Sequence, residues 1–128
     1  MPAIDTDAAV ALVTTTHPHH SAARRRFDAA TQVYLHPSVI TEFTTVLRRQ
    51  ANRAGSDGNA VARQALATLL AQPRVKIEAG IDHAHAVQRY MGSPALSFTD
   101  AVVASFSAWF DKATPLTFDQ AILRAASS

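Results

Sequence analysis

Short apolar runs with strand character alternate along this chain with longer stretches of helical periodicity, and that alternation is what most limits the folds open to it. Residues 2–5, 33–36, 75–77 and 115–119 read as strands. The stretches between them read as helices: residues 6–13, 19–30, a segment from Pro37 in which Val39, Phe43, Val46 and Leu47 recur at helical spacing, 60–71, 82–91 and 97 onward. Pro37-Ser38 is a natural helix start, Pro suiting a first turn and Ser serving as a cap, whereas Gly55 to Asn59 is a turn-rich break and Pro73 a stop. Strands separated by helices imply parallel pairing, because parallel neighbours need a crossover and a helix usually supplies it. The expected fold class is α/β, with a central parallel sheet of four to five short strands flanked by helices. A chain of 128 residues can bury one core, so residues 1–128 are expected to form one domain.

An acid stands at four of these junctions. Asp5 and Asp119 end strands, Glu42 lies in the helix begun at Pro37, and Asp100 lies in the first turn of the helix that follows Ser97. Open parallel sheets bind ligands outside the carboxyl ends of their strands. On a helical wheel Glu42 falls at the border of the apolar stripe, beside Val39 and Val46, from which it can reach a cleft at the core's edge. Gathered there, the four carboxylates would repel: two unit charges 4 Å apart cost roughly 4 kcal/mol at an effective dielectric near 20. Oxygen-only donors favour a hard cation, Mg²⁺ or Mn²⁺, and a cation so held suits phosphodiester hydrolysis. By spacing alone the same acids read equally well as helix caps and surface charges.

Composition narrows the chemistry further. The chain has no Cys, which excludes disulfides, zinc–thiolate sites and thiol nucleophiles. A net charge of +2 with a pI near 9.5 permits a polyanionic partner without demanding one. Arg48, Arg49 and Arg53 share Glu42's predicted helix and are the candidates for RNA phosphate contacts. No run of eighteen apolar residues occurs and the first residues lack a signal-peptide pattern, so no membrane association and a cytoplasmic location are expected.

Taken together, Ile4-Asp5-Thr6, His17-Pro18-His19-His20, Pro37-Ser38-Val39-Ile40-Thr41-Glu42-Phe43, Ser97-Phe98-Thr99-Asp100-Ala101 and Leu116-Thr117-Phe118-Asp119 resemble the PIN-domain family, and within it the short VapC-type toxins of toxin–antitoxin pairs. Each motif is weak alone; their order and their span of nearly the whole chain make the set specific. The resemblance implies a PIN-like α/β domain and a Mg²⁺- or Mn²⁺-dependent endoribonuclease, inhibited by a small cognate antitoxin and commonly a homodimer. It assigns Asp5, Glu42, Asp100 and Asp119 as catalytic, metal-binding acids, with Thr6, Thr99 and Thr117 as hydroxyls beside them. One departure bears on activity: where the family usually has Asn or Ser two residues after the first acid, this chain has Asp7, either a further ligand or an uncompensated charge.

Two rival readings accompany this one. A degenerate PIN domain would bind RNA or a partner without cutting, with Asp7 as the suspect. A haloacid-dehalogenase-like phosphatase would use Asp5 as nucleophile in Asp5-Thr6-Asp7, but it needs a Lys, and the chain offers only Lys76 and Lys112. His17, His19 and His20 read as a solvated loop rather than a metal site. Phe106, Trp109 and Phe110 read as a core or dimer face rather than a base-stacking platform.

Overall fold

The computed structural model describes residues 1–109 and 113–127. In chain order the elements are α1 (Thr6–Val13), α2 (His20–Ala29), β1 (Val33–Leu35), α3 (Pro37–Arg53), α4 (Gly58–Leu70), β2 (Val75–Ile77), α5 (His83–Gly92), α6 (Phe98–Trp109) and α7 (Gln120–Ala126). The helical expectations hold to within a residue or two at most ends. Two aromatic positions part company at the end of α6: Phe106 is buried and Trp109 exposed, while Phe110 and Lys112 lie outside the described residues.

The sheet is smaller than expected. Among the described residues there are two strands, β1 and β2, paired in parallel with Val33 opposite Val75 and Leu35 opposite Ile77. The first and last predicted strands contribute single parallel bridges, Ala3 to Tyr34 and Ile4 to Leu116. Both are cut short for local reasons. Asp5 already caps α1, so only Ala3 and Ile4 remain to pair. At the other end Pro115 has no backbone N–H to give, and the Thr117 N–H turns back to the Pro115 carbonyl at 3.1 Å. The bridged segments still run parallel to β1, tied by Ile4 N–H to Tyr34 O at 3.0 Å and Leu116 N–H to Ala3 O at 2.8 Å.

Helices bury this array. Ile4, Val33, Leu35 and Leu116 from the extended segments meet Phe27 of α2, Val39 and Phe43 of α3, Val102 and Val103 of α6 and Ile122 of α7 in one core. Helix α1 is buried over Ala8, Ala9, Val10, Ala11 and Leu12, and its three alanines let neighbouring backbones approach. Helix α3 starts at Pro37 as expected, but its cap is His36, whose Nδ1 accepts from the Ser38 N–H at 3.0 Å. Gly55, at φ 82°, turns the chain out of α3, and a Cβ at Gly58 would meet the Arg48 carbonyl at 2.4 Å, so α4 lies directly against α3. Arg74 donates to the Phe27, Asp28 and Ala30 carbonyls at the end of α2, satisfying acceptors a helix terminus leaves open. No helix among the described residues is long and apolar enough to cross a membrane.

Phe43 sits beside Glu42 and is fully buried, so it fixes the roll of α3 against the core. Phe43→Ala is expected to lower stability by about 3–5 kcal/mol, read as a reduced urea midpoint with an unchanged slope.

Candidate active site

Each of the four acids is held by a hydrogen bond, three of them at the N-terminus of a helix and the fourth, Glu42, from a neighbouring helix. Asp5 is the N-cap of α1: Oδ1 accepts from the Ala8 N–H at 2.8 Å, and Oδ2 accepts from the Thr117 hydroxyl. The same hydroxyl accepts the Asp119 N–H at 3.0 Å, and Asp119 caps α7 through Ala121 N–H at 2.8 Å. Asp100 and Ser97 form a reciprocal box at the start of α6, Asp100 Oδ2 taking the Ser97 N–H at 3.0 Å and Ser97 Oγ the Asp100 N–H at 3.1 Å. Glu42 Oε2 accepts from the Thr6 hydroxyl at 2.9 Å, which joins α3 to the first turn of α1.

These four carboxylates, from segments as far apart in sequence as residues 5 and 119, line one cavity of about 550 Å³. Thr6, Asp7, Val10, His19, Val46, Gln50, Ser97 and Phe118 complete its wall. Asp5 is 4% exposed, and burial, only partly offset by its Thr117 and Ala8 hydrogen bonds, pushes its carboxyl up to about 6; the charges of Asp7 and Asp100 add to the rise. Burial raises Asp100 too, over the lowering effect of its Ser97 bonds, and the charges of Asp119 and Glu42 raise it further. Among the described residues no Lys or Arg pairs with any of the four.

That imbalance is what a hard cation would relieve, and the all-oxygen donor set suits Mg²⁺ or Mn²⁺. Glu42 Oε1, Asp100 Oδ1 and Asp119 Oδ2 are the oxygens left over from the local bonds. No three acidic or histidine side chains among the described residues yet stand close enough together to hold an ion, so ligation requires side-chain rotation toward the cavity centre. In chemistry the residues fit the ion; in geometry they surround its place without closing on it.

Other expected residues fall in different places. Thr6 and Thr117 hydrogen-bond to Glu42 and Asp5, whereas Thr99 is buried in the first turn of α6 and lines no part of the cavity. Asp7 does line it, 66% exposed, with Oδ1 3.5 Å from His17 Nε2. Arg48, Arg49 and Arg53 are exposed on α3 outside the cavity wall. Arg49 and Arg53 flank the Glu42, Val46, Gln50 stripe, about 10 and 16 Å along the axis from Glu42 at 1.5 Å per residue; Arg48 is on another face.

Gln50, Ser97, His19 and Phe118 were not anticipated. Gln50 could have been found from its eight-residue spacing to Glu42, and Ser97 from the Ser-x-x-Asp cap pattern. His19 and Phe118 stand in segments that carry the family resemblance, but no spacing or cap pattern marked either side chain as part of the site. The histidine run is solvent-facing at Pro18 and His19, as expected of a solvated loop, but is held by local bonds: His20 Nδ1 lies 2.8 Å from Ala11 O, and His17 Nδ1 accepts the His19 N–H at 3.0 Å.

A family model, that of the PIN domain, matches residues 3–127. Among solved structures the chain is similar to VapC20 of Mycobacterium tuberculosis, a toxin that cleaves the sarcin–ricin loop, with 21% identity, a TM-score of 0.75, and 98% of this chain and 95% of that one covered. No match is found among curated proteins.

The raised Asp5 carboxyl sets a pH dependence. Between about pH 4 and pH 6 the unfolded chain has released this proton while the folded protein retains it, so stability falls as pH rises through that window and levels off above it. Urea unfolding in EDTA is expected to show a loss of about 3 kcal/mol across the window. Asp5→Asn should remove most of it.

Proposed function

The chain belongs to the PIN-domain family, and on that premise we propose that it is a Mg²⁺- or Mn²⁺-dependent endoribonuclease of VapC type, a toxin restrained by a small antitoxin. The observation that carries this reading is the convergence of Asp5, Glu42, Asp100 and Asp119 on one cavity with no Lys or Arg among the described residues paired to them. The likeness in fold to a toxin that cleaves RNA supports the substrate class.

Glu42, Asp100 and Asp119 would hold the ion through their uncommitted oxygens, with Asp5 fixed by Thr117 as the buried wall behind them. A bound Mg²⁺ or Mn²⁺ supplies two things: it lowers the pKa of a water and offsets charge developing on a phosphoryl oxygen. The protein's own part is placement. Thr6 aims Glu42, Ser97 aims Asp100, and the Thr117 hydroxyl sets Asp5 against Asp119. Arg49 and Arg53, along α3 from Glu42, would meet phosphates farther along the RNA.

Both partners would meet surfaces outside the cavity. An apolar cleft lined by Leu12 and Val13 of α1 and Val61, Ala65 and Leu69 of α4 would take an apolar antitoxin segment. Val87, Tyr90 and Met91 of α5 and Phe98 of α6 are exposed and would be covered in a homodimer.

The phosphatase alternative is weaker on this geometry, because both Asp5 oxygens are engaged and Lys76 lies in β2 away from the cavity. The binding-only alternative rests on Asp7 and on the lack, among the described residues, of a closed three-ligand group. Purified protein incubated with single-stranded and structured RNA decides between them. Cleavage is expected with Mg²⁺ or Mn²⁺ and is abolished by EDTA. Asp100→Asn and Glu42→Gln should each cost about 10²-fold or more, and Asp7→Asn should preserve or raise the rate at low metal. Cleavage that persists in EDTA contradicts the metal, and a collapse with Asp7→Asn makes Asp7 a ligand.

A further inference from the structure

We propose that His19, stacked on Phe118 at the wall of the acid cavity, is a shelf for one unstacked base of the RNA beside the scissile phosphate. This rests on the nuclease reading and adds to it the group that holds the substrate's base. The two rings lie 4.5 Å apart between centroids at 10°, and both line the cavity that the four acids enclose. His19 is exposed and its side chain makes no cap hydrogen bond at the start of α2, so the helix does not need this imidazole where it stands.

The shelf is braced from below and behind. Arg26, two turns along α2, places its guanidinium 5.4 Å from the Phe118 ring centroid while donating to Thr117 O at 2.9 Å and Pro115 O at 3.1 Å. Phe118 is itself the residue between Thr117 and Asp119, so the stacked pair is fixed in register with two of the groups that line the site.

Electrostatics says why such a shelf is needed. A wall of carboxylates repels the phosphates of an approaching RNA, and the exposed arginines of α3 stand outside the cavity. A flat aromatic face binds an unstacked base without reference to its charge, and such stacking occurs on His as well as on Phe, Tyr and Trp. Trp109, the exposed aromatic that the sequence drew attention to, does not line the cavity.

The test uses a short single-stranded RNA carrying 2-aminopurine at each position in turn, bound to Asp100→Asn protein so that it stays uncut. Fluorescence quenching is expected at one position next to the cleaved bond, lost on adding His19→Ala and regained with His19→Phe. In the otherwise unaltered enzyme, His19→Ala is expected to raise KM about tenfold with kcat within about twofold, and His19→Phe to stay near the parent. Unchanged KM and unchanged quenching in His19→Ala overturn the proposal. If the parent protein cuts no RNA with either metal, the nuclease reading fails. The fluorescence arm then still decides the shelf: quenching that needs the His19 ring supports it, and no quenching with His19 present overturns it.

Discussion

The Thr117 hydroxyl, donating to the Asp5 carboxylate and accepting from the Asp119 amide, is the contact on which the site's geometry depends. It joins residues 112 apart in sequence and does so in the core, where Thr117 is 0% exposed. A carboxylate buried without partners would be far costlier than this one, which also takes the Ala8 N–H. Even so the bonds do not cancel the burial, and Asp5 keeps a raised pKa. The remaining strain is electrostatic: three further acids face the same space, and each adds to the difficulty of ionising its neighbours.

Capping and lining the cavity are one arrangement here. Asp5, Asp100 and Asp119 each accept a backbone N–H at the start of a helix, and each is thereby fixed in the wall of the cavity. Helix N-termini favour negative charge, so these positions stabilise carboxylates locally while their convergence destabilises them collectively. A short parallel array is sufficient for this, because its function is to bring four chain segments to one edge. Two three-residue strands and two single bridges do so.

The elements that could be read from the sequence are those whose signals are local. Pro37, Gly55, Pro73 and the apolar spacing of α3 and α6 depend on neighbours within one or two turns, and the helices they mark are where they were expected. Strand extent could not be read so well, because pairing at residues 2–5 and 115–119 is decided by partners distant in sequence, Ala3 with Tyr34 and Ile4 with Leu116, and by how early Asp5 and Thr117 leave the array. The acids were visible as junction residues, and Thr117 as the hydroxyl beside the last of them. The His36 cap was hidden by the more conventional Ser38 next to it. His19 and Phe118 were invisible for a different reason: their contact spans ninety-nine positions and follows no periodicity.

Calorimetric titration of Mn²⁺ at pH 6, repeated in buffers of different ionisation enthalpy, decides whether the acid cavity is a cation site. If Glu42, Asp100 and Asp119 hold a cation against the buried Asp5, and burial raises the carboxyl of Asp5 to about 6 and that of Asp100 above its usual value, binding must release protons, and Asp100→Asn must weaken it. A heat that varies with the buffer and an affinity lost in the variant are expected. Absence of Mn²⁺ binding, or binding that is buffer-independent and equal in Asp100→Asn, would contradict a cation site there.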